Sequence, residues 1–192
     1  MADRSTSPFV HGFKARTQRM ALAQREALGL AATDPLNPRQ LANHMSVRLG
    51  TPRDVPSLEP EHVTELLGPN ADTWSALTIR TATGVLVVYN PEHDEARTNN
   101  SLCHELSHLL LDHRHGALHE VGDCIMRDFN ELQEKEADWL AGSLLLPEPA
   151  LKKVKRLGWD HDTAARHYVV SDQLFRWRWH ASGFHRSYPR SA

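Results

Sequence analysis

Several features of secreted and membrane proteins are missing from this sequence of 192 residues. Residues 1–10 contain no apolar stretch of the kind found in a signal peptide, and no later run reaches the roughly 18 apolar residues that a membrane span needs. There are only two cysteines, Cys103 and Cys124, which is too few to suggest a disulfide framework. These absences predict a cytoplasmic protein with reduced thiols that does not act in a membrane.

An excess of charge of one sign is missing too. The formal net charge is −2 and the pI is about 6.7, so the chain has no overall field that would concentrate nucleic acid or anionic lipid. We therefore expect no direct contact with nucleic acid, and no pattern indicates an oligomeric state. What the sequence does have is 13 histidines, a residue type that serves metal binding and proton transfer more readily than it fills cores.

The hydrophobic pattern predicts three regions: a helical N-terminal region (1–70), a core (71–151) and a helical C-terminal region (152–192). Within the core, segments 74–80 and 84–90 predict a strand hairpin, and the second strand is apolar enough to be buried. This strand, which ends at Tyr89, is expected to offer an edge to which an extended peptide can add. The pattern also predicts helices at 13–30, 39–49, 61–67, 149–155 and 171–179.

Two more helices are predicted inside the core. The first begins at a cluster of potential N-caps, residues 99–101, and ends before Gly116. The second opens with a capping box formed by Asn130 and Gln133, and it stops at Pro147. Residues 114–129 between them show no period and are predicted to form a loop. The whole pattern indicates an α+β fold.

The first core helix carries the strongest chemical signal. His104 and His108 are four residues apart, so both imidazoles project from one helix face and can bind one metal ion. Glu105 lies about 100° around the helix from His104, where it can reach a water on the ion as a general base. This arrangement of residue types is typical of zinc-dependent peptide hydrolysis.

A catalytic zinc needs a third protein ligand, and the sequence narrows the choice. A third histidine six residues after the second, preceded by glycine, is excluded because Arg114 and Leu111 occupy those positions. The second core helix offers Glu134, which lies 134 − 108 = 26 residues after His108. That separation allows a loop and a returning antiparallel helix.

Glu134 and Asp138 share one face of this second helix. We predict that Glu134 binds the metal while Asp138 accepts a hydrogen bond from the outer N–H of a ligand histidine. Glu136 points in another direction and remains an alternative ligand. His113, His115 and His119 could gather a second metal or stabilise an oxyanion, but a solvated loop is the favoured interpretation.

Three segments together resemble the ImmA/IrrE family of metallopeptidases. They are H-E-L-S-H-L-L-L at 104–111, E-K-E-A-D-W-L-A at 134–141 and L-L-L-P at 144–147. The resemblance is strong over residues 74–151 and weaker on either side. It departs at Leu140, where many members have phenylalanine, which is a conservative change.

The resemblance implies a compact zincin-like core, with a small β-sheet packed on the two motif helices and helical extensions at both ends. It implies His104, His108 and Glu134 as metal ligands, Glu105 as the catalytic glutamate, and zinc (Zn²⁺) as the metal. Manganese (Mn²⁺) is compatible with the same ligands. The implied partner is a helix-turn-helix repressor of a mobile element or stress response, which is cleaved to derepress its genes. The alternative is an anti-repressor that binds without cutting and uses zinc structurally.

Overall fold

The computed structural model describes residues 8–55, 57–81, 84–113, 118–121, 124–127 and 130–187. The helices are α1 (Phe13–Ala27), α2 (Pro38–His44), α3 (Pro60–Leu67), α4 (Glu95–Leu110), α5 (Glu131–Leu145), α6 (Glu148–Leu157), α7 (His161–Tyr168) and α8 (Asp172–Ala181). The strands are β1 (Arg48–Gly50), β2 (Ala76–Thr81), β3 (Gly84–Tyr89), β4 (Leu118–Val121) and β5 (Cys124–Arg127).

The fold is α+β, as the sequence predicts, and it centres on a small mixed sheet. Strand β3 lies in the middle of the order β1-β3-β2, parallel to β1 and antiparallel to β2. The expectation that β3 offers a free edge is therefore wrong, because both of its edges are paired. Among the described strands of this sheet, β1 and β2 each have one unpaired outer edge, and β2 is the longer of the two.

Helices α4 and α5 lie side by side, and their contact forms the centre of the core. Leu102 and Leu106 of α4 and Leu140 and Leu144 of α5 are all fully buried. Burying a leucine side chain stabilises the fold by about 1.5–3 kcal/mol, so this pairing is strongly fixed. The site residues on the two helices are therefore held on a rigid base. None of the helices in the described part of the chain has the length and apolar character needed to cross a bilayer.

Helix α2 is shorter than the sequence predicts. The side chain of Asn37 caps its start by accepting a hydrogen bond from the Arg39 N–H at 2.9 Å. The helix ends at His44, and Ser46 adopts a left-handed conformation with φ 56°. This turn redirects the chain into β1, a strand in the region that the sequence predicts as helical. A strand of three residues that forms by parallel pairing with a distant segment leaves no local period.

Helix α4 begins earlier than predicted, at Glu95, because Asp94 is its N-cap and accepts from the Arg97 N–H at 2.7 Å. The asparagines expected to cap it lie inside the helix instead. Asn99 donates to the Val169 carbonyl at 3.1 Å, and Asn100 donates to the Ser171 hydroxyl at 2.7 Å. They tie α4 to the connection between α7 and α8. Helix α5 begins after Asn130 as predicted, with the Asn130 side chain accepting from two backbone N–H groups.

The segment 114–129 is not entirely a loop. Strands β4 and β5 pair antiparallel, with Leu118 opposite Arg127 and Val121 opposite Cys124. His115 and the side chain of His119, two of the three histidines singled out in this part of the sequence, lie outside the described part of the chain.

Two buried arginines hold the C-terminal end of α5. The Arg25 guanidinium donates to the Leu144 carbonyl at 2.6 Å, and Arg178 Nε donates to the Leu146 carbonyl at 3.2 Å. Both side chains are almost fully buried, and burial lowers the pKa of Arg178 to about 10. The last carbonyls of a helix lack partners within it and carry partial negative charge. The two cations therefore satisfy the end of the helix that carries Glu134.

Arg25→Met is expected to lower the free energy of unfolding by about 3 kcal/mol. Hydrogen bonds from a charged donor contribute about 1.5–3 kcal/mol each, and the carbonyls of Leu144 and Leu145 would be left buried without this donor. Urea denaturation followed by circular dichroism measures the change. Arg19→Met, on the exposed side of the same helix, is the control and should stay within about 0.5 kcal/mol of the native chain. Equal stability of the two variants would contradict the proposed role of Arg25.

Candidate metal centre

Three side chains with metal-binding atoms meet between α4 and α5. His104 Nε2 lies 3.0 Å from His108 Nε2 and 3.1 Å from a carboxylate oxygen of Glu134. His108 Nε2 lies 3.5 Å from the same oxygen. One ligand atom from each residue falls within 4.8 Å of the other two. The structure thus brings together the three residues that the sequence singles out as ligands.

The helices explain why these atoms converge. His104 and His108 are one turn apart on α4, and their rings meet edge to face with centroids 4.7 Å apart. Glu134 lies in the first turn of α5, whose start is fixed by the Asn130 cap. Because the packed leucines set the register between the two helices, the carboxylate of Glu134 faces both imidazoles.

Asp138 lies one turn beyond Glu134 and contacts the outer nitrogen of His104. Its carboxylate oxygen is 2.9 Å from His104 Nδ1. A carboxylate at this position favours a proton on Nδ1, so that Nε2 is the nitrogen that can offer a lone pair to an ion. This contact matches the arrangement expected from the spacing of Glu134 and Asp138.

Glu105 points to the sheet rather than to α5. Its carboxylate accepts a hydrogen bond from the hydroxyl of Thr78 on β2 at 2.5 Å. Thr78 is only 2% exposed, so the donor is held rigidly. Nothing in the sequence marks Thr78 as a site residue, because its contact with Glu105 depends on how β2 packs against α4.

His113 is a second residue whose place the sequence did not reveal. It is buried, with 6% of its surface exposed, so the expected solvated loop is wrong at this position. Its Nδ1 lies 3.1 Å from His108 Nδ1, and its Nε2 lies 3.1 Å from a carboxylate oxygen of Glu136. Glu136, the alternative ligand, therefore contacts His113 and is not part of the three-residue cluster.

The electrostatics of the cluster favour a cation. Burial would lower the pKa of His104, but hydrogen bonds to the carboxylates of Asp138 and Glu134 raise it to about 10. The hydrogen bond from His104 in turn holds the pKa of Glu134 below its usual value, against burial. A donor set that stabilises positive charge on an imidazole is also suited to a divalent ion.

The cluster passes the requirements for a catalytic metal site. Two imidazole nitrogens and one carboxylate oxygen match the ligand chemistry of a three-ligand catalytic centre. The site is also open on one side, since Glu134 is 35% exposed while His108 is 10% exposed. A cleft of about 440 Å³ leads to it, and its lining comprises Ser75, Ala76, Asn100, Ser101, His104, Glu105, Glu134 and Asp138.

Cys103, next to the first histidine, faces away from this site and into the core. It is fully buried, and burial raises the pKa of its thiol to about 12. Because the thiolate is the reactive form of cysteine, this side chain is an inert part of the core.

Comparison with known proteins agrees with the geometry. A family model described as the IrrE N-terminal-like domain, a peptidase family, matches residues 61–180, which is more than half of the chain. No curated protein matches the sequence. The matched range contains both motif helices and strand β2, and so every residue of the site. The chain therefore belongs to the ImmA/IrrE family of metallopeptidases.

Proposed function

We propose that the chain is a zinc-dependent peptidase whose metal ligands are His104, His108 and Glu134 and whose general base is Glu105. The observation that carries this proposal is the position of Glu105. A site that only bound metal would have no chemical need for a carboxylate beside the ligands, held by a buried hydroxyl. Zinc suits two imidazoles and one carboxylate, and manganese is compatible with the same donors.

In this proposal the bound ion and the side chains of the site have separate roles in peptide hydrolysis. A bound divalent ion supplies Lewis acidity, which polarises the scissile carbonyl and acidifies the attacking water. Glu105 accepts the proton of that water as the new C–O bond forms, and it returns a proton to the amine when the C–N bond breaks. Thr78 keeps the carboxylate directed at the cleft through its hydroxyl. Asp138 keeps His104 in the tautomer that can bind the ion.

We infer that the substrate is an extended polypeptide segment that pairs with the outer edge of β2. The cleft begins at Ser75 and Ala76, at the start of that strand, and continues past Glu105. Extended peptides commonly add to an exposed sheet edge, because backbone hydrogen bonds then hold them irrespective of side chain. This edge replaces the one expected at β3.

A neighbouring cleft of about 320 Å³ shares Asn100, His104 and Asp138 with the first. Its other walls include Ala141, Leu174 and Trp177. Trp177 can lie here because Gly142 has no Cβ, and a Cβ at this position would be 2.6 Å from the indole ring. We infer that this cleft receives an apolar side chain of the substrate.

The proposed substrate is a helix-turn-helix repressor, and cleavage derepresses the genes of a mobile element or stress response. This substrate class is the one implied by the resemblance of the motif helices to ImmA/IrrE peptidases, and we propose a cytoplasmic enzyme because a DNA-binding substrate would be found there. The test is to incubate the zinc-loaded chain with the repressor encoded beside its gene, and to identify fragments by mass spectrometry. Chelator-sensitive cleavage at one bond is expected. An intact repressor that nevertheless loses DNA binding would favour the anti-repressor alternative.

Glu134→Ala and Glu136→Ala should separate the two glutamates of α5. They lie about 200° apart around the helix, and only Glu134 belongs to the three-residue cluster. We expect Glu134→Ala to lose stoichiometric zinc and Glu136→Ala to keep most of it at equal protein concentration, because Glu134 supplies a donor atom and Glu136 does not. Metal content after gel filtration, measured by elemental analysis, distinguishes the two. The reverse result would exclude Glu134 as the third ligand.

A further inference from the structure

We propose that His113 and Glu136 are positioning residues for the ligand His108, and this inference rests on the metal site of the proposed function. The contacts form a continuous chain from Glu136 to His113 to His108, with both separations 3.1 Å. Neither residue reaches the cluster of ligand atoms. They act on the outer face of His108, as Asp138 does on His104.

The hydrogen-bonding requirements of the three groups are compatible in only one direction once His108 binds an ion. Its Nε2 faces the cluster and must offer a lone pair, so its Nδ1 carries the proton. That N–H donates to His113 Nδ1, which must then be the acceptor. His113 therefore carries its own proton on Nε2 and donates it to the carboxylate of Glu136. Each nitrogen and oxygen atom in this series of hydrogen bonds then has a matching donor or acceptor, as a buried network requires.

The backbone explains how His113 reaches this position. Just after the C-cap of helix α4, Asp112 adopts a left-handed conformation with φ 53°. The His113 N–H then bonds back to the His108 carbonyl at 2.9 Å, and the Asp112 N–H bonds to the Leu109 carbonyl at 3.1 Å. This pair of hydrogen bonds is the Schellman motif, which brings the second residue after the helix against the residue five positions earlier. The His113 ring is therefore placed against the His108 ring by the turn itself.

The same geometry gives the two glutamates of α5 separate tasks. Glu134 faces the cluster of ligand atoms. Glu136 lies on a different face of α5, on the far side of His108, where its carboxylate contacts His113. The side chain of Glu136 is 18% exposed and that of His113 is 7% exposed, so the hydrogen bond between them is shielded from water. Glu136 therefore acts on the metal ligand His108 through His113, which contacts both residues.

The test measures the affinity of the full-length chain for Zn²⁺ by competition with a chromophoric chelator. His113→Phe keeps a ring of similar shape and removes both nitrogens, and the affinity should fall about 10- to 100-fold. Glu136→Gln retains an oxygen that can accept the hydrogen bond from His113, so its affinity for Zn²⁺ should fall less than that of His113→Phe. The double variant should bind no more weakly than His113→Phe alone, because both changes break one chain. Lys135→Gln changes an exposed side chain of α5 that pairs with Glu131, and this control should bind Zn²⁺ like the native chain.

Two further measurements separate positioning from a purely structural role. Thermal unfolding in excess chelator reports whether each variant is folded without help from the ion. Nitrogen-15 NMR of the native zinc-loaded chain should show protons on His108 Nδ1 and His113 Nε2, and this result is required even if His113→Phe does not fold. A proton on His113 Nδ1, or native affinity in His113→Phe, would overturn the inference and leave the proposed function intact. Failure of the native chain to bind Zn²⁺ would overturn both.

Discussion

Replacing His104 or His108 with alanine is expected to abolish high-affinity zinc binding, and peptidase activity with it. Each histidine provides one of the three donor atoms that lie within 4.8 Å of one another, and two remaining donors cannot define a catalytic centre. We expect the affinity to fall by about 4 kcal/mol, which corresponds to about a thousand-fold in the dissociation constant. Elemental analysis of the purified variants and titration with Zn²⁺ measure the loss.

The matched control is His44→Ala, which removes an exposed histidine of α2 that contributes nothing to the cluster. It should bind zinc like the native chain. Removing the ion from the native chain with a chelator should abolish cleavage, and adding zinc should restore it. If the native chain lacked stoichiometric divalent metal after zinc supplementation, or if His108→Ala retained it, the assignment of the ligands would be wrong.

The part of the site that could be anticipated from sequence is the part that helical geometry determines. A spacing of four residues on one helix brings His104 and His108 together whatever surrounds them. The start of α5 is equally local, because Asn130 caps it within a single turn. From that start, the direction of Glu134 and Asp138 follows. Only the register between the two helices had to come from packing, and the buried leucines supply it.

The residues that could not be anticipated depend on contacts between distant segments or on unusual backbone conformations. Thr78 reaches Glu105 only because β2 packs against α4. His113 reaches His108 only because Asp112 is left-handed, and such a turn is usually signalled by glycine. Arg25 is buried although arginine rarely is, because the end of α5 offers it carbonyl partners. None of these contacts produces a period or a spacing in the sequence.

Glu105→Gln is the variant that tests the chemistry itself. Glutamine has nearly the same shape and can still accept the Thr78 hydrogen bond through its amide oxygen, but it cannot take a proton from water. We expect cleavage of the partner repressor to fall about 10²–10⁴-fold, the range associated with loss of a well-placed general base. The ratio of the two cleavage rates is obtained by quantifying fragments over time with native and variant chains at equal zinc content.

A second variant shows whether the hydroxyl that holds Glu105 matters to the reaction. Thr78→Val keeps the branched shape and removes only the hydroxyl, so the carboxylate loses its donor while remaining a base. Its rate should fall less than that of Glu105→Gln, with zinc binding unchanged in both. In cells, Glu105→Gln should bind the repressor and fail to derepress its promoter. If Glu105→Gln instead derepresses as well as the native chain, cleavage is not needed for derepression, because this variant lacks the general base. Binding alone would then be sufficient, and the anti-repressor alternative would replace the peptidase.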